Sequence, residues 1–207
     1  MRAFEDLVPH HRIEKFMGPA MVQDLLDLAI ERDGTFMPTA VGNGTTGIVN
    51  PAIRSSLLIR DLGPLRAQLE ACFAAALEET IGILRLSPIR LHSLELELVA
   101  HNDGAFYGEH IDTFTAQSDT RSDRALTGVY YFHRSPKAFS GGALRLHAIA
   151  PAAHGERRFV DIEPEQDMFV LFPSWVPHEV RRVSCPSGTF ADSRFALNCW
   201  YRSERKA

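Results

Sequence analysis

Cysteine is scarce and irregularly placed in this 207-residue chain: Cys72, Cys185 and Cys199 are the whole complement. An odd number with no regular spacing does not make a disulfide framework, so a reduced, cytoplasmic protein is expected. Cys72 lies in an apolar helical run and Cys199 in an apolar strand-like run, and both read as small core residues. No stretch approaches the roughly 20 consecutive apolar residues of a membrane span. The opening MRAFEDLVPHHRIEKF lacks the apolar run of a secretory signal. Positive charge is not in excess either. A formal net charge of -4 argues against a general nucleic-acid binder, which presents a basic surface. Internal repeats and low-complexity stretches are absent as well. No membrane and no nucleic acid are therefore expected as partners.

What is present is an ordinary globular composition, 45% hydrophobic and 23% charged, on a chain long enough to bury a sizeable core. One domain over 1–207 is expected, with a change of character near residue 90. Residues 20–32 place Met21, Leu25, Leu28 and Ala29 on one helical face, with Pro19 at the start and Gly34 at the stop. Residues 64–81 repeat the pattern: Pro64 opens the run, and Leu65, Leu69, Phe73, Ala76, Leu77 and Ile81 form an apolar stripe. Both read as packing helices. Between them, GNGTTGIVNPAIRSSLLIRDLG is rich in turn residues and predicts a loop followed by a short strand. The glycines of 39–56 suit a lid.

From residue 92 the period becomes two. Leu94, Leu96, Leu98 and Ala100 alternate with Ser93, Glu95, Glu97 and Val99, the pattern of a half-buried strand. Further strands are predicted at 126–133, 142–148, 157–163, 168–173, 178–183 and 194–201. They are short, separated by Gly, Pro, Ser and Asp, and not interrupted by helical patterns. A mainly β fold with N-terminal helices follows, and the jelly roll, a cupin-like double-stranded β-helix, is the natural architecture. Residues 1–90 would then supply helical support and the substrate side, and 91–204 the β-helix core.

His110-Ile-Asp112 carries the first chemical signal. On a strand or its edge, residues i and i+2 point the same way, so an imidazole and a carboxylate can reach one ion. His178 begins a later strand, just after a proline. Two histidines and one carboxylate make the facial triad of non-haem Fe(II) oxygenases, with positions left for a chelating cosubstrate and O2. Three features strengthen this reading. Arg194 opens the apolar strand RFALNCWY, where a guanidinium could grip the far carboxylate of 2-oxoglutarate in two parallel hydrogen bonds; a structural ion pair is the plainer explanation. In LTGVYYFH, Thr127, Val129 and Tyr131 share one face, with Tyr130 on the other. Thr127 and Tyr131 can thus face the cosubstrate, with the Tyr131 hydroxyl beside Arg194, whereas Tyr130 reads as core. The third feature is order: HxD, the tyrosine strand, SGGALRL, the distal histidine and the arginine follow one another within the strand-rich half.

Those motifs, as YGEHID, RALTGVYYF, FSGGALRLH, FVDIEPEQDMFVLFP, PHEVRRV and SRFALNCWY, resemble the prolyl-hydroxylase branch of the 2-oxoglutarate/Fe(II) dioxygenases over roughly 94–202. The resemblance looks closest to the prolyl hydroxylases acting on hypoxia-inducible factor and their bacterial relatives. It implies a double-stranded β-helix with His110, Asp112 and His178 on iron, and Arg194 with Tyr131 on the distal carboxylate. His101 falls where the family often has a tyrosine near the cosubstrate, a departure. Tyr107 matches a family tyrosine near iron or substrate. Between His178 and Arg194 this chain carries extra residues around CPSGTFAD. Because the acid at 112 is present, hydroxylation is favoured over halogenation. The expected reaction is hydroxylation of an unactivated C–H bond of a prolyl or other amino-acid-type substrate, small or peptidyl, consuming Fe(II)-bound 2-oxoglutarate and O2 and releasing succinate and CO2. Arg54 is a candidate for a substrate carboxylate, with a solvated loop arginine equally open. Desaturation or demethylation on the same centre, and a non-catalytic cupin-like metal sensor, are the alternatives.

Overall fold

The computed structural model describes residues 8–39, 49–113, 122–149 and 158–204. Strand β1 (His11–Glu14) leads into helix α1 (Pro19–Glu31). Strands β2 (Met37–Pro38), β3 (Arg54–Ser55) and β4 (Leu57–Ile59) precede helices α2 (Arg66–Ala75) and α3 (Leu77–Leu84). The strand-rich part begins with β5 (Leu91–His101), β6 (Phe106–His110) and β7 (Ser122–Phe132). It continues through β8 (Ser140–Gly141), β9 (Leu144–His147), β10 (Phe159–Ile162) and β11 (Met168–Pro173). It closes with β12 (His178–Val180), β13 (Val183–Ser184) and β14 (Arg194–Glu204).

These strands make a major sheet of order β1-β11-β7-β14-β5-β4-β2 and a minor sheet of order β10-β9-β12-β6-β3. Their ladders are antiparallel. Val129, Tyr131 and Ala196 of the major sheet pack against Leu144, Leu146 and Ile162 of the minor sheet. Two such sheets, face to face, form the double-stranded β-helix expected from the period-two pattern. The alternation assigns the faces. Leu96, Leu98 and Ala100 point outward with Leu126, Tyr130, Phe132, Phe195, Leu197 and Tyr201, into one apolar cluster with α1 and α2. Each large side chain so buried contributes about 1.5–3 kcal/mol. His101, Thr127, Tyr131 and Arg194 are left on the inner face.

Several local outcomes differ from the sequence pattern or add to it. The helix expected over 64–81 is two helices, parted at Ala76. The Tyr201 hydroxyl donates to the Phe73 carbonyl at 2.7 Å, and Thr80 back-bonds to Ala76 O at 2.7 Å, two contacts that disturb the helical ladder. Helix α1 ends at Glu31 and a 3-10 turn over Asp33–Thr35 follows, so Gly34 is not its stop. At the other end of α1, Pro19 opens the helix as expected, but the Asp167 carboxylate binds Met17 N at 2.8 Å and Gly18 N at 2.9 Å. The same carboxylate accepts from Tyr130 at 2.7 Å, so that tyrosine is core, as read. Strand β1 had no sequence signal. His11 pairs in it with Leu171, and its Nδ1 lies 3.1 Å from Thr80 Oγ1. Half of the lid expected over 39–56, residues 40–48, lies outside the described residues. No helix among the described residues is long and apolar enough to cross a membrane.

Candidate active site

The minor sheet brings the two histidines together. His110 at the end of β6 is the direct cross-strand partner of His178 at the start of β12. Asp112 lies two residues beyond β6, and its backbone N–H is held by Ser174 O at 2.9 Å. One ligand atom from each of the three residues lies within 4.8 Å of the other two. Nε2 of His110 is 3.7 Å from Asp112 Oδ1, and Nε2 of His178 is 3.5 Å from Oδ2.

Backbone carbonyls orient both rings. Nδ1 of His110 lies 2.8 Å from Gly108 O, and Nδ1 of His178 lies 2.9 Å from Val176 O. A carbonyl only accepts, so in each neutral ring Nδ1 carries the proton and Nε2 offers its lone pair toward the carboxylate. Burial and then the neighbouring His178 push the His110 pKa down to about 3. Burial opposes ionisation of Asp112, but His178, His110 and Arg124 outweigh it and hold the acid below its usual range. Neutral imidazoles and an ionised carboxylate are the donor set a divalent first-row metal takes, and three ligands without cysteine fit Fe(II) rather than structural zinc.

Thr127 was expected to face the cosubstrate. Its hydroxyl instead donates to Asp112 Oδ2 at 2.8 Å and meets Ser174 Oγ at 2.9 Å. It therefore braces the acid. Arg124 adds a guanidinium 3.9 Å from Asp112 Oδ1, itself tied to Glu95 and stacked 3.7 Å over Trp200. Ser174, Arg124 and Trp200 carried no assigned role in the sequence. Loss of such an outer partner costs roughly 10–100-fold in metal affinity or activity. Thr127→Val is expected to weaken Fe(II) binding within that range, as an anaerobic metal titration would show.

On the inner face of the major sheet, Arg194 is buried, 1% exposed. Its Nε donates to Gly142 O at 2.8 Å and its Nη1 lies 3.3 Å from His101 Nδ1. Its guanidinium sits 4.9 Å over the Tyr131 ring. No carboxylate pairs with it among the described residues. Arg194 Nη2, Tyr131 Oη and His101 Nε2 are buried and have no well-aligned hydrogen-bond partner among the described residues, although the Tyr131 hydroxyl lies close enough to the Arg194 guanidinium to feel its charge. Burial pushes the Tyr131 hydroxyl up to about 12, so it stays a donor. A buried charge without a counter-ion is costly, and an anion placed here would relieve it. A carboxylate of 2-oxoglutarate fits that demand. The sequence pair Gly141-Gly142 makes the room. Both have positive φ, 69° and 71°, and a Cβ on Gly142 would stand 2.6 Å from Arg194 Cδ. The residues around CPSGTFAD form β13 and a 3-10 turn whose Phe190 packs on Phe195, beside the start of β14.

Tyr107 and Arg54 form a stack on the iron side. The Tyr107 ring lies 3.6 Å from the His110 ring, at 18°. The Arg54 guanidinium also sits 4.5 Å over Tyr107, and its Nε donates to Ser56 Oγ at 3.1 Å. Arg54 is 8% exposed, so it is not a solvated loop residue. A cavity of about 280 Å3 opens beside it, lined also by Thr39, Asn102, Ala105 and Phe190.

His101 is perturbed as well. Burial, then Arg194 and Arg54, hold its pKa well below the usual 6.5. The sign follows: the unfolded chain binds a proton near pH 6.5 that the folded chain refuses. His10 and His11 are lowered as well, chiefly by burial. Stability of the metal-free protein is therefore full above about pH 6.5 and falls as pH drops below it. Urea midpoints at pH 7.5 and 5.5 check this, the lower one being expected at pH 5.5.

Residues 96–202 match the profile of the 2OG-Fe(II) oxygenase superfamily. A PKHD-type hydroxylase of Synechocystis sp., itself uncharacterized, is 35% identical over 196 residues. That match covers 93% of this chain, which spans 62% of the relative's length. The crystal structure of a Pseudomonas putida prolyl-4-hydroxylase is 25% identical with a TM-score of 0.66, covering 94% of this chain and 93% of that one. A Trichoplax adhaerens prolyl hydroxylase, solved with a hypoxia inducible factor peptide fragment, shares the fold at TM-score 0.64 and 22% identity, over 94% of this chain and 84% of its own. The chain belongs to the 2OG-Fe(II) oxygenase superfamily, the dioxygenases that take Fe(II), 2-oxoglutarate and O2.

Proposed function

We propose that the protein hydroxylates an unactivated C–H bond of a prolyl or other amino-acid-type substrate, with release of succinate and CO2. The observation that carries this reading is the buried Arg194, with no carboxylate partner among the described residues, stacked on Tyr131 on the same strand face as Thr127, which bonds Asp112 of the His-Asp-His cluster. A metal-binding cupin without a cosubstrate has no use for a buried carboxylate clamp, which weighs against the sensor alternative. His110, Asp112 and His178 would hold Fe(II), and Arg194 with Tyr131 the distal carboxylate of 2-oxoglutarate. Iron with its 2-oxo acid and O2 supplies the oxidising chemistry when bound.

The chain's own work is positional. Gly108 O and Val176 O set the imidazole tautomers, and Thr127, Ser174 and Arg124 hold the carboxylate. The sheets exclude water from the inner face between them, where charge pairing is strong. Arg54, a second buried guanidinium with no carboxylate partner among the described residues, would take a carboxylate or carbonyl of the substrate, with Tyr107 beside it. An amino acid or a peptide backbone offers such a group. The outward cluster joins α1 and α2 to β5, β7, β11 and β14, in line with 1–207 working as one catalytic unit. The three free thiols accord with the cytoplasm.

The test is 2-oxoglutarate-dependent succinate release by the Fe(II) protein with L-proline, prolyl peptides and other amino acids. One of these should stimulate release and gain one oxygen atom by mass. A desaturated or demethylated product would favour the alternative outcome on the same centre. Substrate-independent inertness alongside normal cosubstrate binding would count against the amino-acid class.

A further inference from the structure

Among the unsatisfied buried groups on the inner face, Arg194 Nη2 and Tyr131 Oη belong to the clamp, Trp200 Nε1 lies on the Asp112 side beside Arg124, and His101 Nε2 lies next to Arg194. His101 and Arg194 are direct partners in the β5–β14 ladder. Arg194 Nη1 lies 3.3 Å from His101 Nδ1. A guanidinium has donors and no acceptor, so Nη1 donates and the Nδ1 lone pair accepts. That assigns the proton of the neutral ring to Nε2. The ring is neutral because it is buried beside two positive charges, Arg194 and Arg54. His101 therefore presents an N–H with no acceptor among the described residues, on the residue that steadies a guanidinium in need of an anion.

We infer that His101 is a positioning and specificity residue for the cosubstrate: it holds Arg194 through Nδ1 and donates Nε2–H to the distal carboxylate, as a third donor beside Arg194 and Tyr131. This rests on the clamp reading above. A carboxylate has two oxygens and about four lone-pair sites, so three donors do not exceed its capacity. A neutral donor suits the place. A second full charge there would repel Arg194, whereas the imidazole adds a hydrogen bond without adding charge.

The test compares two 2-oxo acids that share the iron-chelating end, 2-oxoglutarate and pyruvate, and only the first has a distal carboxylate. Each is titrated anaerobically into the Fe(II) protein, and its affinity is read from the visible charge-transfer band. A hydrogen bond to a charged group is worth roughly tenfold or more in affinity. His101→Leu should weaken 2-oxoglutarate by at least about that factor and leave pyruvate within about twofold. His101→Gln, which carries both an acceptor and a donor, should recover most of the loss. Nitrogen-15 histidine spectra of the wild type give a readout free of any folding defect: the His101 ring should be neutral and protonated on Nε2. Equal weakening of both acids, unchanged 2-oxoglutarate affinity, or a ring that is charged or protonated on Nδ1 would overturn the inference. If wild type itself does not prefer 2-oxoglutarate over pyruvate, or Arg194→Met keeps that preference, the clamp reading fails rather than the role of His101.

Discussion

Asp112→Asn is expected to abolish turnover while leaving a folded protein. The substitution keeps the volume of the side chain and removes its charge. Asp112 is buried and is the sole carboxylate of the three-residue cluster. Its two oxygens lie toward both histidines, and Thr127 and Arg124 hold it there. An amide cannot replace the charge that offsets a divalent ion. The loss should exceed the roughly 10–100-fold that follows from removing an outer partner such as Thr127. Parallel Fe(II) titrations and succinate assays on Asp112→Asn and Thr127→Val would order the two effects. A variant at Asp112 that bound iron and turned over at the wild-type rate would contradict the metal assignment.

Arg194→Met should separate stability from cosubstrate binding. An arginine used only for structure would cost stability on removal. Here the arginine is buried with no carboxylate partner among the described residues, so the folded protein carries the penalty of that charge. Replacing buried ions with apolar groups of similar size is often neutral or stabilising by about 1–4 kcal/mol. The Gly142 and His101 contacts would be lost, at roughly 1–3 kcal/mol for each group left unsatisfied. The two effects nearly offset, and the metal-loaded variant should unfold within about 2 kcal/mol of wild type. Its affinity for 2-oxoglutarate should fall far more. Truncating one side of a buried charged pair costs about 2–5 kcal/mol, or roughly 30-fold to several thousandfold. At about a hundredfold excess over its dissociation constant, 2-oxoglutarate should stabilise wild type by about 2.7 kcal/mol. The variant should gain little at that concentration. A variant that unfolds readily yet binds 2-oxoglutarate normally would make Arg194 structural.

The residues that could be read from the sequence are those whose local pattern carries its own geometry. The alternation of Leu94, Leu96, Leu98 and Ala100 assigned β5 its two faces, and the same rule turned Tyr131 inward and Tyr130 outward. His110 and Asp112 were legible as a pair from the i, i+2 rule for extended chain, and they do converge, although Asp112 lies just beyond β6. Strands as short as β1 and β3 have too few residues to show a period. The break at Ala76 and the start of α1 depend on Tyr201 and Asp167, each more than a hundred positions away. Thr127 shows a second limit. Its inward face was legible, but its partner was not, because Asp112 reaches it only after the minor sheet folds over the major. Ser174, Arg124 and the orphaned Nε2 of His101 are of the same kind, since a hydrogen-bond partner is a three-dimensional fact.

The most direct measurement is the visible spectrum of the protein loaded with Fe(II) and 2-oxoglutarate in the absence of O2. Iron chelated by a 2-oxo acid gives a weak charge-transfer band. The account predicts the band in wild type and its loss in Arg194→Met at the cosubstrate concentration that saturates wild type. A folded, iron-loaded wild type with no band at any 2-oxoglutarate concentration would contradict it, and the His110-Asp112-His178 cluster would then be a metal site without the cosubstrate.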